Sequence, residues 1–282
     1  MQLKTVLQEI THHNDYDLSK ISMDELIKEM LCNIGSTDPE LRDALIYNAF
    51  GKLIQEDYLK VDQWRYIVKT CMDTNHLFLN IGETETDSVF SRSFSSLVLA
   101  LILEKDSQEF RLSETEVREI IKQSILYLEL ERDIRGYVKD KGWAHSVAHG
   151  ADLLSEAVKH PYFDMGLVDD CLKAVQHNLF KRNEEGIPYL DDEEERLVFV
   201  IEALLGRGAT EDRIASWISE VSTNLNELLN REGTNLVFFR KRGEIVRFFR
   251  AIYFRCLFNK NFPIVQQELL KELKAWHEPF YD

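Results

Sequence analysis

The chain has 282 residues, of which 44% are hydrophobic and 29% charged, and its formal net charge is −15 at pH 7. A chain of this length buries about three-quarters of its unfolded surface, so a stable core needs no disulfide or metal staple. The excess of acid argues against a general nucleic-acid binder, because a polyanion would approach against the mean field of the protein.

Two further features suggest where the protein works. The four cysteines lie far apart, with no spacing typical of a zinc site or a disulfide framework, which favours a reducing compartment. The longest apolar run, Leu97 to Leu103, is much too short to span a bilayer, and the N-terminus lacks a basic and an apolar signal region. We therefore predict a cytoplasmic protein that is not inserted in a membrane.

A period of 3.6 residues runs through nearly every segment and predicts an all-α protein. Capping signals support several helix starts: Ser22 and Ser113 each stand three residues before a glutamate, and Asp38 precedes Pro39. The predicted helices lie near residues 3–10, 22–33, 39–57, 62–75, 88–105, 114–131, 143–158, 166–181, 192–206, 211–230, 235–258 and 263–277.

The spacing of these helices suggests an architecture. Taken in pairs from residue 22, they form hairpins of roughly 40 to 50 residues, the length of HEAT and armadillo units. We predict an α-α superhelix of antiparallel helix pairs (a HEAT/armadillo-like solenoid) that forms a single domain over residues 1–282. A compact helical bundle is the alternative. Three long connections, at 76–87, 133–142 and 182–191, are candidates for recognition loops.

The predicted helix 143–158 carries the most ordered set of chemically active side chains. His145, His149, Asp152 and Glu156 stand at i, i+4, i+7 and i+11, within about 60° of one another around the helix, opposite an apolar face that includes Trp143. Imidazoles one turn apart can hold one metal ion, with Asp152 as a third ligand or as the group that orients a ring. An exposed ladder of His and acid, or hydrogen bonding between helices, would explain the same pattern.

The loop that precedes this helix extends the candidate site. Arg135 can clamp a carboxylate or phosphate, and the first amides of the predicted helix, at Gly142 and Trp143, favour an anion. The alternative is that Arg135 pairs with a neighbouring acid, Asp133 or Glu131, and that Tyr137 simply packs.

Two charged stretches lie later in the chain. Arg240, Arg247, Arg250 and Arg255 fall along one edge of predicted helix 235–258 and would suit an acidic peptide, a phosphate or a nucleic-acid backbone, unless the protein's own carboxylates pair with them. The acidic stretch 184–195 predicts a solvated helix start.

The segment Arg-Gly-Tyr-Val-Lys-Asp-Lys-Gly-Trp-Ala-His-Ser-Val-Ala-His-Gly-Ala-Asp-Leu-Leu, residues 135–154, resembles the signature of an uncharacterised bacterial family catalogued as a domain of unknown function. Residues 192–197 resemble a second, weaker mark of that family. The resemblance implies an all-helical cytosolic protein and does not imply any particular reaction. It draws attention to Arg135, Gly142, Trp143, His145, His149, Asp152, Glu195 and Arg196.

Together these features favour a ligand- or partner-binding scaffold module over an enzyme. Its central groove would be lined by His145, His149 and Asp152, and its partner would be a protein or a small molecule, with neither nucleic acid nor membrane expected. The alternative is a metal-dependent hydrolase that uses the same three residues, and a divalent metal is the only cofactor the sequence suggests. The zincin pattern is incomplete, because Ser146 stands where the glutamate base would be.

Overall fold

The computed structural model describes residues 3–12, 17–18, 21–181 and 187–281. These ranges are mostly helical and hold one two-stranded antiparallel hairpin, which confirms the all-α prediction. The helices are α1 (Leu3–His12), α2 (Met23–Cys32), α3 (Asn48–Gln55), α4 (Val61–Cys71), α5 (Ser88–Glu109), α6 (Glu114–Leu130), α7 (Ser146–Lys159), α8 (Val168–Phe180), α9 (Glu193–Arg207), α10 (Glu211–Glu232), α11 (Leu236–Asn259) and α12 (Pro263–Tyr281). A π-helical segment, Glu40–Tyr47, leads into α3, and a 3₁₀ turn, Met165–Leu167, leads into α8.

The chain divides into two compact units, Met1–Phe163 and Asp164–Asp282. The first unit is organised around α5, which packs on α7 and also on α3 and α4. Apolar residues surround this helix, and Ser93, Ser95 and Ser96 between them are fully buried. A helix that is apolar on all sides belongs in a core.

The second unit has its core along α11. Phe238, Phe248 and Phe249 of this helix are fully buried, and α8, α9, α10 and α12 all pack on it. This helix is therefore buried along most of its length, apart from an exposed edge. The single domain over residues 1–282 and the solenoid arrangement stay predictions.

Local signals located the helices well. The hydroxyl of Ser113 accepts the N–H of Glu116 at 3.3 Å, and the Glu116 carboxylate accepts the N–H of Ser113 at 2.8 Å, as a capping box requires. Asp38 likewise accepts the N–H of Leu41 at 3.3 Å.

The hairpin was not expected. Tyr137–Val138 (β1) pairs with Gly142–Trp143 (β2), so the helix predicted at 143–158 begins only at Ser146. The amides of Gly142 and Trp143 are consequently not the start of a helix, and the anion site expected from them is wrong.

The cysteines and the helix lengths agree with the sequence expectations at a coarse level. All four cysteines are free thiols; Cys71, Cys171 and Cys256 are buried and Cys32 is exposed. None of the helices in the described ranges has the length and apolarity needed to cross a bilayer.

Candidate functional site

The two imidazoles of the predicted stripe are neighbours, although only one of them is on the helix. His145 is where the chain turns from strand to helix, with φ 45° and ψ 34°, a left-handed conformation that few non-glycine residues adopt. Its ring stacks on that of His149 in α7, with centroids 5.7 Å apart and planes inclined by 24°. Asp152 and Glu156 are half-buried further along the same helix.

The β1–β2 hairpin in front of these rings is held by a buried cation. The guanidinium of Arg42 is fully buried and donates to the carbonyls of Lys141 and Trp143 at 2.7 and 3.3 Å. It also lies over the rings of Phe90 and Phe94, 4.2 and 4.8 Å from their centroids. The phenylalanine rings therefore hold the Arg42 guanidinium by cation–π contacts, and its charge-assisted hydrogen bonds hold the backbone of the hairpin at β2.

The close packing of the hairpin against Pro39 depends on Gly142. Its φ is +77°, and a Cβ built there would lie 2.7 Å from the Cβ of Pro39. Only glycine allows both this backbone conformation and this close approach.

A hydrogen-bond chain determines the tautomer of His149. The Ser93 hydroxyl donates to the carbonyl of Ala144, an atom that can only accept. The hydroxyl has a single proton, so Nδ1 of His149, 2.7 Å from the Ser93 oxygen, must be the donor in that contact. A neutral His149 therefore carries its proton on Nδ1 and presents Nε2 as an acceptor.

An aromatic row continues from the imidazoles to the surface. The Trp143 ring meets the His145 ring edge-on at 4.4 Å, and Tyr137 meets Trp143 edge-on at 5.1 Å. Tyr137 is 57% and Trp143 43% exposed. Trp143 is thus not part of an apolar buried face, as the helical reading expected, but presents its indole to solvent.

Arg135 is engaged inside the protein. Its guanidinium donates to the fully buried carboxylate of Asp133 at 2.6 to 3.1 Å, and to the carbonyl of Thr86 at 2.7 Å. The internal pairing weighed as the alternative to an anion clamp is confirmed.

Behind the site, a buried polar network ties α5 and α6 to the start of α7. Arg92 and Glu131 are both fully buried and form a two-pronged pair at 2.6 and 3.0 Å. The Tyr127 hydroxyl oxygen lies 3.3 Å from the Glu131 carboxylate and 3.2 Å from the carbonyl of Ser146, so its single proton is shared between these two acceptors. Burial raises the pKa of Tyr127 well above its usual value, so the hydroxyl stays a donor.

The geometry gives no support to a metal centre. Over residues 3–12, 17–18, 21–181 and 187–281, no group of three or more His, Cys, Asp or Glu side chains is placed to hold a metal ion. His145, His149 and Asp152 therefore do not form such a group, and we derive no metal chemistry from them.

Glu195 and Arg196 lie in the first turn of α9, in the second unit. Glu195 is exposed and Arg196 half-buried, with the Arg196 guanidinium 5.5 Å from the centroid of the Phe199 ring. These two residues belong to the unit Asp164–Asp282, whereas the imidazoles belong to Met1–Phe163. Their grouping in one site stays a prediction.

The predicted basic edge of α11 is partly neutralised. Arg247 pairs with Glu194, and Arg255 pairs with Glu202 at 2.6 Å, in line with the alternative of internal pairing. Arg240 is half-buried and Arg250 is exposed.

The acidic stretch is not simply solvated. Residues 184–186 lie outside the described part of the chain, but Glu193 and Glu194 are 1% and 4% exposed. Burial raises the pKa of Glu193 to about 7, and burial also raises that of Glu244, on α11, to about 7. The expectation of a hydrated helix start is wrong for these two α9 residues, because the rest of the unit covers them.

Sequence reasoning missed the residues that support the site. Arg42, Ser93 and Glu131 are distant in sequence from the imidazoles, and their roles arise only from packing. A cation and several serines within strongly apolar helices were the available signal, because such groups are buried only when they have polar partners.

With this geometry in view, the chain was compared with known proteins. A family model described as "Protein of unknown function (DUF2785)" matches residues 77–254, which is more than half of the chain, and the protein belongs to that family. The match includes the hairpin, both imidazoles and most of α11. Neither the curated proteins nor the solved structures gave a match.

Proposed function

We propose that the protein is a binding module whose ligand or partner docks on the β1–β2 hairpin. The contact surface consists of the Tyr137 and Trp143 rings, and the stacked His145 and His149 rings lie next to Trp143. The site would take a small molecule or a protein segment that offers an apolar or planar group to the rings.

The observation that carries the proposal is a pair of exposed aromatic rings on a rigid support. Large rings are usually buried, and exposed ones on a rigid surface are typical of binding hot spots, because they bring much contact area at little entropic cost. Arg42 and Gly142 hold the backbone beneath them, so little conformational freedom remains to be lost on binding.

The imidazoles support this surface from inside. His149 is 9% exposed and its Nδ1 is bonded to Ser93, so the ring position is held by the protein itself. The Trp143 ring rests edge-on against that of His145, which keeps the indole in a defined orientation for a ligand.

The intrinsic fluorescence of the protein provides the test. Trp64, Trp217 and Trp276 are at most 4% exposed, so Trp143 is the accessible indole among the four tryptophans. A library of small aromatic and polar fragments is screened by ligand-observed NMR, and each hit is tested for protection of Trp143 from acrylamide. Fragments that bind at the hairpin reduce quenching.

Two variants decide the outcome. Trp143→Ala is expected to weaken the hits about tenfold or more, as truncation of a hot-spot ring does. Tyr66→Ala is the matched control, because Tyr66 in α4 is 45% exposed and lies outside the site. Hits that survive Trp143→Ala, or a screen without hits that protect Trp143, would refute the proposal.

A further inference from the structure

A second exposed apolar surface lies in the unit Asp164–Asp282, where α11 ends and α12 begins. Phe254 and Phe258 are 47% and 74% exposed, and their rings stack with centroids 5.9 Å apart. Residues separated by three or four positions share one side of a helix. Together with exposed neighbours on both helices they form what we call the α11–α12 face: Phe254, Leu257, Phe258, Ile264 and Leu270.

The face contains a depression. A cavity of about 330 Å³ opens beside Tyr253 of α11 and is also lined by Pro263, Ile264 and Leu270 of α12. It is shallow and open to solvent, and its lining is made mostly of side chains already exposed. An apolar side chain of a partner can therefore rest in it without any rearrangement of the two helices.

The exposed charges around the face are basic. Arg250 lies one turn before Phe254, Lys260 follows the end of α11, and Lys274 lies one turn after Leu270; all three are exposed. The nearby acids are occupied, since the half-buried carboxylate of Glu211 accepts the N–H of Ile264 at 2.8 Å and Glu268 pairs with Lys271 at 2.8 Å. In a chain with a net charge of −15, a local basic rim favours an acidic partner.

We propose that the α11–α12 face binds an acidic amphipathic helix of a partner protein. The helix places one apolar side chain in the cavity and others on Phe254 and Phe258, and its flanking carboxylates lie near Arg250, Lys260 and Lys274. This is the helix-in-groove mode of recognition, in which apolar anchors recur at i, i+3/i+4 and i+7.

Other occupants fit the same surface less well. In a two-fold pair of identical chains the patch faces itself, so Arg250 and Lys260 would approach their own copies. Nucleic acid would approach against the net charge of −15 of the chain. Three bases are fewer than the clusters of about four to eight that bind anionic membranes.

The experiment selects the partner chemistry directly. A display library of helical peptides, with Leu at i, i+4 and i+7 and random Glu or Lys at the flanking positions, is panned on the full-length protein. Recovered peptides are synthesised with a fluorescein label, and their affinities are measured by fluorescence anisotropy at low and high salt. We expect recovered sequences rich in Glu, weaker binding at high salt, and loss of binding when Glu is replaced by Lys.

Variants of the protein place the peptide on the face. Leu257→Ala and Arg250→Glu are each expected to weaken binding about tenfold. Leu126→Ala is the matched control, because Leu126 in α6 is 40% exposed and Leu257 is 43% exposed. Far-UV circular dichroism of each variant verifies that it folds.

Four results would overturn the inference: no recovered peptides, no bias towards Glu, equal weakening by Leu126→Ala, or no weakening by Leu257→Ala. Two further controls identify a different occupant. Co-sedimentation with phosphatidylserine vesicles that Leu257→Ala abolishes would assign the face to a membrane. A concentration-dependent dimer in sedimentation velocity, lost in the same variant, would assign it to a second copy.

Discussion

Replacing Glu193 by Gln tests whether a buried acid makes the stability of the protein depend on pH. Glu193 is 1% exposed; one carboxylate oxygen accepts the N–H of Asp191 at 3.1 Å, and the other has no hydrogen-bond partner. The ionised form therefore lacks a counter-charge and full solvation, which is why burial raises the pKa of this group to about 7.

The sign of the effect follows from proton uptake. The folded pKa of Glu193 lies above the ordinary glutamate value of 4.5, so the folded state holds more protons than the unfolded state between pH 4.5 and about 7. The free energy of unfolding therefore falls as pH rises through this window. The difference of about 2.5 units corresponds to a penalty of ~3 kcal/mol above pH 7, and to none below pH 4.5.

Gln mimics the neutral acid and removes this penalty. Glu193→Gln is expected to match the wild type near pH 4 and to be more stable by ~3 kcal/mol near pH 8. Urea unfolding followed by circular dichroism at both pH values measures the difference. Glu227→Gln is the control, since Glu227 is exposed on α10, and it should show no such change. If Glu193→Gln gains no stability between the two pH values, the reasoning fails.

Three further variants test the support of the hairpin and of α7. Gly142→Ala should lower the free energy of unfolding by ~1–3 kcal/mol, because the position has a positive φ and the new Cβ would clash with Pro39. Gly206→Ala on α9, where a Cβ meets nothing within 4 Å, should raise the free energy of unfolding by ~0.5 kcal/mol. Thermal melts that rank the two variants in the opposite order would contradict this account. Glu131→Gln should cost ~3–5 kcal/mol in urea unfolding, because it leaves the Arg92 cation buried without its partner; a cost below ~1 kcal/mol would show that the pair is not the central contact of the network. Ser93→Ala removes the acceptor of the His149 Nδ1 proton. Long-range ¹H–¹⁵N NMR should therefore show the Nδ1–H tautomer in the wild type and a shift towards the Nε2–H tautomer in the variant. An Nε2–H ring in the wild type would refute the assignment.

The helices could be predicted because their signals are local. The hydroxyl of Ser113 and the carboxylate of Glu116 determine the start of α6 within a single turn. These features depend on neighbours within a few residues, which a single sequence displays directly.

The candidate site could be predicted only in part. The sequence identified His145 and His149 as neighbours, and their rings do stack, but it placed Trp143 on the opposite side of a helix, whereas the Trp143 ring meets that of His145. It placed them on one helix, however, because the 3.6-residue period continues formally through residues that are extended in the structure. Gly142, with its positive φ, was the local sign of a different backbone.

The sequence by itself determined that the chain is helical, where most of its helices lie, and which short segment carries the imidazoles. Only the tertiary structure decided that Arg42 holds the hairpin, that Ser93 sets the tautomer of His149, and that Glu193 is buried. Helix formation follows from residues a turn apart, whereas the environment of a polar side chain depends on which distant segments exclude water from it.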